Sequence, residues 1–490
     1  MTLAGAASVS SFSLPFSHGS LSSRHRRFNF KPLNASSQVS LEDSPLSNQT
    51  PSTSSSPKKT GVIVIGAGLA GLAAAIRLHA DKVPFLLLES SDAVGGRVRS
   101  DHVDGFILDR GFQIFITGYP EAQKLLDYSA LNLQKFYAGA KVYYDGSFHR
   151  VADPLRHFSD SLLSLANPVG TIIDKLLIGL TRIRVLTQSD DQILTAEEVR
   201  TIQLLRETGF SDAMMDRFFR PFFGGIFFDR QLETTSRLFN FIFKCLALGD
   251  NTLPARGISA IPEQLAGKLP SDSILFNSKA TSIVSNSDST FDVILEGGEV
   301  LKSEQGVIVA VEEFQAVKLL ARNTERLSIQ GRKPVRSTVC LYFTVDEDKV
   351  PVQDPVLFLN GTGKGIVNNM FFATNVAKSY APMGKALVSV SLIGLFHDVS
   401  DEDLVKRVVE ELSNWFGNSA VDSWRYLRMY RIGFAQPNQC PPTDLVKDPR
   451  VKSGLYICGD YVTSATFDGA LVSGRRAAEA LLKESALVQV

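Results

Sequence analysis

The sequence predicts an α/β chain whose folded part begins with a dinucleotide-binding βαβ unit. Three observations predict it. An apolar β-branched run, Val62-Ile63-Val64-Ile65, leads straight into the glycine-rich turn Gly66-Ala67-Gly68-Leu69-Ala70-Gly71. A second apolar run, Phe85-Leu86-Leu87-Leu88, ends on Glu89, eighteen residues after Gly71. Later in the chain the period changes, with helical spacing giving way to short apolar strands from Ile274 onward.

Each part of the unit has a physical task. The first run reads as a buried parallel strand. The glycines permit a tight turn, close approach of the backbone to a pyrophosphate, and close helix–strand packing. Leu72 to Leu78 reads as the helix, with Ala73, Ala74 and Ala75 as strong helix formers. Its N-terminus turns free N–H groups and a positive dipole end towards a diphosphate. Glu89 is placed to accept from a ribose hydroxyl.

The 490 residues suggest two or three domains. Lys+Arg and Asp+Glu both number 51, so net charge offers no electrostatic argument for a nucleic-acid partner. The four cysteines, Cys245, Cys340, Cys440 and Cys458, lie far apart without metal-ligand spacing and read as reduced thiols. Thirty-two phenylalanines fit either a Phe-rich core or a large apolar cavity. Residues 1–60 are Ser-rich, carry Arg24, Arg26 and Arg27, and hold no acid before Glu42. That composition reads as a plastid transit peptide followed by a disordered linker, with a disordered cytosolic tail as the alternative.

Along the rest of the chain, Ala140 to Phe148 reads as a hairpin turning at Asp145-Gly146. Residues 154–250 read as mostly helical. Within them Ile172 to Val185 is apolar but interrupted by Asp174, Lys175, Arg182 and Arg184. It either lies on a membrane surface or packs on the protein's own core; no transmembrane span is expected. Ile274–Phe276, Thr281–Val284, Phe291–Leu295, Val307–Val311, Val335–Val345 and Ala386–Ile393 read as strands, and Asp401–Trp415 as an amphipathic helix. Gly454 to Asp460 closes the strand pattern, and a helix follows from about Gly469 to Leu482.

Gly66 through Glu89 to Gly95-Gly96-Arg97, with Pro254 to Pro262, Ser278 to Ile283, and Tyr456 to Asp460 with Gly469-Ala470, resemble the motifs of a flavoprotein superfamily. It comprises flavin-containing amine oxidases, protoporphyrinogen oxidases and phytoene desaturases. The segment Arg220-Pro221-Phe222-Phe223-Gly224-Gly225-Ile226-Phe227 resembles the desaturase and protoporphyrinogen oxidase branches more than the amine oxidases.

The resemblance implies a Rossmann-like FAD-binding domain built from discontinuous segments, 61–153, 251–334 and 426–490. It implies a mixed α+β substrate domain from 154–250 and 335–425. The implied FAD-binding residues are Gly66, Ala67, Gly68, Ala70, Gly71, Glu89, Gly96, Arg97, Ala280, Gly459, Asp460, Gly469 and Ala470. Arg97 is expected to neutralise phosphate charge, or else to form a surface ion pair. Asp460 is expected near the ribityl chain or diphosphate, or else as a helix N-cap.

Where the family's amine oxidases carry a lysine near the flavin, this chain places Thr338. The C-terminal loop has no cysteine for a covalent link, so noncovalent FAD is expected, and a plain amine oxidase is disfavoured. Arg110, Gln113 and Phe467 are the candidate catalytic residues; for Arg110 and Gln113 the alternative is hydrogen bonding within their own turn. No metal is expected, and Gly361 to Gly365 lacks the flanks of a second nucleotide site. The implied activity is a plastid FAD-dependent oxidoreductase taking hydride from an apolar small molecule such as an isoprenoid, carotenoid or tetrapyrrole. An FAD-dependent isomerase and a non-catalytic flavoprotein are the alternatives.

Overall fold

The computed structural model describes residues 58–153, 155–157, 159, 160, 167–321 and 333–488. The leader expected over the first sixty residues lies almost wholly outside them. The described chain forms two principal sheets.

The first sheet has eight strands. Ile274–Leu275, Phe85–Leu88, Lys58–Ile65, Val300–Val309 and Leu455–Ile457 run parallel. The strand Val300–Val309 is used twice. Its first half pairs antiparallel with Phe291–Leu295, which pairs in turn with Ala280–Ser285. Its second half, Val307 to Val309, pairs parallel with Leu455–Ile457. Val62, Ile63, Val64, Leu87, Val307 and Ile308 are fully buried, as a parallel sheet covered on both faces requires. The fingerprint helix runs Leu69–Ala80, a turn longer at its start than the sequence pattern predicts. The C-terminal helix, Phe467–Val488, lies across it. Their crossing is close at Gly474, where a Cβ would stand 1.9 Å from the Ala70 carbonyl oxygen.

The second sheet has seven strands, in the order Arg425–Gln436, Arg336–Asp346, Lys385–Ile393, Val367–Phe372, Leu357–Asn360, Gly139–Tyr144, Ser147–Ala152. Its outer face packs on the helix Asp401–Phe416 through Leu404, Val408 and Leu412. Its inner face carries Thr338, Cys340 and Tyr342 on one strand and Leu357 and Leu359 on another. Two segments depart from the expected division. The hairpin 139–152 and the strand Arg425–Gln436 belong to this second sheet, although the expected boundaries group them with the nucleotide-binding segments. Backbone pairing decides their membership, and Arg425–Gln436 has too little apolar alternation to reveal its partner.

The expected hairpin turns at Asp145 and Gly146, both at positive φ. Residues 172–250 are largely helical, as expected. The segment Gly361–Gly365 is the turn between two adjacent antiparallel strands, closed by Glu411 Oε2, which accepts from the Ile366 and Val367 amides. No helix of the described residues is long and apolar enough to cross a membrane.

Candidate functional site

Four parallel strands end at one place. Ile65, Leu88, Val309 and Ile457 hand over to Gly66, Glu89, Ala310 and the Gly459-Asp460 pair, and all of these line one cavity of about 660 Å3. Ligands of open α/β sheets bind at such carboxyl ends.

The fingerprint turn shows why its glycines are needed. Gly66 lies at φ +104°, and a Cβ there would approach the Ala310 carbonyl oxygen to 2.7 Å. A Cβ on Gly71 would stand 1.8 Å from the Gly66 carbonyl oxygen, so only glycine lets the helix seat on its own turn. At Gly68 nothing lies nearer than 4.0 Å, and that face opens to the cavity. Gly68 and Ala70 line the cavity, whereas Ala67 and Gly71 stand behind it.

Glu89 is 7% exposed on the cavity wall. Its Oε2 accepts from the Ala67 amide (2.9 Å), and its Oε1 from the Ser91 amide and hydroxyl (2.9 and 2.8 Å). It therefore clamps the fingerprint turn from the cavity wall. The Glu89 carbonyl accepts from the Ser278 amide (2.8 Å), which brings Ser278, Lys279 and Ala280 to the same end of the cavity.

Gly95 and Gly96 run beside the turn: the Gly95 amide donates to the Ala67 carbonyl (2.8 Å), and Gly96 stands at φ +59°. Arg97 then crosses between the sheets. It pairs with Asp460 (2.8 Å), donates to the Ala435 carbonyl (2.9 Å), and faces Glu312 at 3.8 Å. Burial works against its charge, but the Asp460 and Glu312 carboxylates more than offset it and hold the guanidinium ionised. Arg97 is thus a partly buried bridge at the cavity wall and not a surface pair. Asp460 is 6% exposed and lies seven residues before the C-terminal helix starts at Phe467, so the N-cap alternative falls away.

At the start of that helix, Ala470 and Phe467 line the cavity, while Gly469 packs against the Ser464 carbonyl behind it. The Phe467 ring meets Phe115 edge-on at 5.9 Å. Asp468 turns the other way and accepts from the Glu121 and Ala122 amides (2.7 and 3.1 Å), capping a neighbouring helix from outside; burial raises its carboxyl to about 6.

Of the remaining candidates, Arg110 lines the cavity but is held by Asp101, with Nε and Nη2 at 3.1 and 2.8 Å. Gln113 donates from Nε2 to the Arg97 and Arg110 carbonyls (2.8 and 2.9 Å), so it fixes its own turn on the cavity wall. Just beneath, Asp109 is fully buried. It accepts from Ser100 (2.7 Å), Ile258 (3.0 Å) and Tyr380 (2.9 Å), and burial raises its carboxyl to about 6. Thr338 faces the cavity with its hydroxyl donated to the Leu392 carbonyl (2.7 Å), so no lysine occupies that position.

All four cysteines are free. Cys458 follows its strand directly and is fully buried, and no described residue of the cavity wall is a cysteine. Among the described residues no group of three potential ligands could hold a metal. His102, His149 and His157 lie on separate structures, with His157 stacked on Tyr137 at 4.1 Å.

Three further groups matter at the site. Glu312 follows an apolar strand just as Glu89 does, and that pattern was a usable signal. Gln439 is buried and clamps the 460–465 loop, donating to Thr463 (2.6 Å) and accepting from Ala465 (2.8 Å). Asn369 lies on a buried strand facing the cavity. Neither amide carries a local sequence signal.

Away from the strand ends the cavity wall is largely apolar, with Phe112, Ile114, Phe222, Ile226, Ile432 and Phe467, and carries Tyr119, Asn251, Thr338, Asn369 and Gln436 among them. One cavity thus joins the strand ends to a largely apolar wall.

Comparison with known proteins agrees with this geometry. The family model described as flavin-containing amine oxidoreductase matches residues 69–482. Coproporphyrinogen III oxidase of Bacillus subtilis (strain 168) is 24% identical over 84% of this chain and 94% of its own. The 15-cis-phytoene desaturase (chloroplastic/chromoplastic) of an Oncidium hybrid cultivar is 23% identical over 87% of this chain and 79% of its own. The solved structure of cyclohexylamine oxidase from Brevibacterium oxydans superposes with a TM-score of 0.61 at 17% identity, covering 87% of this chain and 99% of that one; it establishes the shared fold.

Proposed function

The chain belongs to the flavin-containing amine oxidoreductases, FAD-dependent oxidoreductases, and from that premise we propose that it is a plastid enzyme removing hydride from an apolar small molecule of isoprenoid, carotenoid or tetrapyrrole type. The observation that carries this reading is the single cavity. It joins the carboxyl ends of four parallel strands to a chamber walled by Phe112, Ile114, Phe222, Ile226, Ile432 and Phe467, with Thr338 in place of a lysine.

The residues present fit FAD. Gly66, the open face at Gly68 and the helix N-terminus at Leu69 and Ala70 receive the diphosphate, supported from behind by Ala67 and Gly71. Glu89 meets the adenosine ribose, and Ala280 offers its backbone to adenine. Gly96 and Arg97 approach the phosphates, Gly459 and Asp460 the ribityl chain, and Ala470, backed by Gly469, the flavin pyrimidine edge. The absence of cysteine from the described cavity wall supports noncovalent binding. When bound, FAD supplies hydride acceptance. The protein's own part is to hold the substrate between apolar walls and keep water out. Arg110 and Gln113 position the wall through their fixed turn, and Phe467 supplies an apolar contact.

Plastid location is supported by the leader's composition and by the chloroplastic relative. The helix Ile172–Thr187 supports contact with a membrane surface from which an apolar substrate is drawn. Ile172, Ile173, Leu176, Leu180 and Ile183 are each more than half exposed along it. It also bears Lys175 and Arg184, while Arg182 turns inward to pair with Asp153 (2.8 Å).

The full chain, purified and made anaerobic, tests the reading. A true substrate bleaches the flavin absorbance, and the product is lighter by two hydrogens. A product of unchanged mass would favour an isomerase, and a chain that takes up no FAD would overturn the proposal. Trichloroacetic acid should release all the flavin into the supernatant.

A further inference from the structure

One amide on the cavity wall is unclaimed and open. Asn251 begins the strand Asn251–Pro254, the middle strand of a three-stranded sheet with Phe115–Ile116 and Leu133–Lys135. Its main chain is covered on both edges, by Ile116 on one side and on the other by Phe136, whose amide donates to the Asn251 carbonyl (2.9 Å). The surface that this partly buried residue keeps is therefore its side chain's. Oδ1 and Nδ2 have no hydrogen-bond partner among the described residues, yet neither is sealed off, and both keep accessible surface. Thr252, the next residue, shows the contrast. It faces the other way, is fully buried, and donates its hydroxyl to the Phe115 carbonyl (2.9 Å).

The strand register turns the Asn251 side chain into the cavity. Residues directly opposite in an antiparallel pair share a face. The residue opposite Asn251 is Ile116, and both line the cavity. On the other side Phe136 meets Phe371 of the seven-stranded sheet edge-on at 5.3 Å, and Phe371 meets the cavity residue Phe112 in the same way at 5.8 Å. Asn251 thus stands with the apolar part of the wall, away from the strand ends.

What the amide takes follows from the charges around the cavity. An apolar substrate lying on Asn251 strips it of water, and an amide so covered is penalised unless the substrate supplies a hydrogen bond. The cations of the described cavity wall are committed elsewhere: Arg97 to Asp460, Arg110 to Asp101 and Lys279 to Glu296. Its acids are Asp460, Glu312, which also faces Arg97, and Glu89, which holds the fingerprint turn. A carboxylate or an ammonium at Asn251 would be buried without a counter-charge. A neutral oxygen meets no such penalty, and a primary amide can donate to it or accept from it.

We propose that Asn251 hydrogen-bonds a neutral oxygen, a hydroxyl or a carbonyl, of an otherwise apolar substrate, and so sets a preference for oxygenated molecules over hydrocarbons of the same shape. This rests on the reading of the cavity as a substrate chamber beside FAD.

The test uses the full chain loaded with FAD and three probes of one skeleton: β-ionone (a ketone), β-ionol (an alcohol) and the hydrocarbon lacking the oxygen. Binding is followed by the change in flavin absorbance. The wild-type protein should bind the ketone and the alcohol about 10-fold more tightly than the hydrocarbon, with a ketone-to-alcohol ratio that stays constant between about pH 5 and 9. Asn251→Leu should bring all three to within about 2-fold of one another. Asn251→Asp has the same shape. It should favour the alcohol over the ketone, increasingly as its carboxyl ionises, because a carboxylate accepts from a hydroxyl but donates nothing. A merely structural asparagine would not produce that pH-dependent split. Flavin content and Tm show whether each variant folds, and if Asn251→Leu does not, Asn251→Asp decides alone. Equal wild-type binding of the three probes, a preference that survives in folded Asn251→Leu, or a ketone-to-alcohol ratio in Asn251→Asp that matches wild type at every pH would overturn the anchor while leaving the chamber standing. If no probe perturbs the wild-type flavin, the chamber reading falls as well.

Discussion

Gly71 and Gly68 separate two uses of glycine that a motif alone cannot distinguish. A methyl group at Gly71 would enter the Gly66 carbonyl at 1.8 Å, whereas one at Gly68 meets nothing within 4.0 Å. Gly71→Ala should therefore destabilise the fold, by about 1–3 kcal/mol for an overpacked contact, visible as a lower Tm. Gly68→Ala should leave the apoprotein Tm near wild type but reduce bound FAD, read from the flavin-to-protein absorbance ratio; equal FAD content in both variants would contradict this. Asp109 supplies a pH-dependent case. Its carboxyl titrates at about 6 in the fold, against 3.8 ordinarily. The folded protein binds the extra proton between these values, so stability falls as pH rises from about 4 through 6 and levels off above. Two units correspond to about 3 kcal/mol. Asp109→Asn keeps an acceptor for the Ile258 amide and should make that slope shallower without abolishing it, because Asp468, also raised to about 6, and the raised Glu312 and Glu411 still titrate. Tm measured against pH in both proteins gives the comparison, and an unchanged slope would count against it.

At the scale of elements, what was legible depended on whether burial leaves a one-dimensional trace. Val62 to Ile65 and Phe85 to Leu88 are apolar throughout because both faces of a parallel strand are covered, so they read correctly. Val367–Phe372 went unread because its middle holds Asn368 and Asn369, buried polar residues that break the apolar run. The strand Arg425–Gln436 is half-exposed and basic, and nothing local in it signals pairing with Arg336–Asp346. The helix Ile172–Thr187 had two readings, membrane surface or core. Its buried side holds Asp174, Thr181 and Val185, while its apolar residues at 172, 173, 176, 180 and 183 face outward. Vesicles containing anionic lipid should therefore sediment the protein. The double variant Leu176→Ser/Leu180→Ser should weaken that binding about 100-fold, given about 1.5 kcal/mol for each leucine withdrawn from the interface. Added salt should weaken it further. Unchanged sedimentation of the double variant would assign the helix to another surface.

Across the whole molecule, the cavity is lined by residues that are remote in sequence but continuous in space. Gly66, Glu89, Gly96, Ala280, Glu312, Asp460 and Ala470 line a single cavity, and Arg97 fastens it to the second sheet through the Ala435 carbonyl. Gly66, Glu89 and Asp460 carry a local sign, glycine or acid after an apolar run, whereas Gly96, Ala280 and Ala470 were expected only from the resemblance. The apolar wall was foreshadowed only in outline, by the phenylalanine content and the expected substrate-domain segments, because its individual residues look like those of any core. This layout has a thermodynamic consequence. A ligand that touches every segment of the first sheet and is bridged to the second stabilises them as one unit and cannot stabilise one segment alone. At a free FAD concentration of about 100 times its Kd, the gain is about 2.7 kcal/mol, a rise in Tm of a few degrees for a chain of this size. Scanning calorimetry of apoprotein and holoprotein should show one transition moving upward as a whole. Arg97→Ala removes the bridge and leaves Asp460 buried without its partner. In that variant FAD should be held more weakly, and the transition should broaden or divide, because the sheets no longer share the contact that made them respond together. A variant that keeps both the wild-type FAD shift and a single sharp transition would show that the coupling runs through the packed core instead.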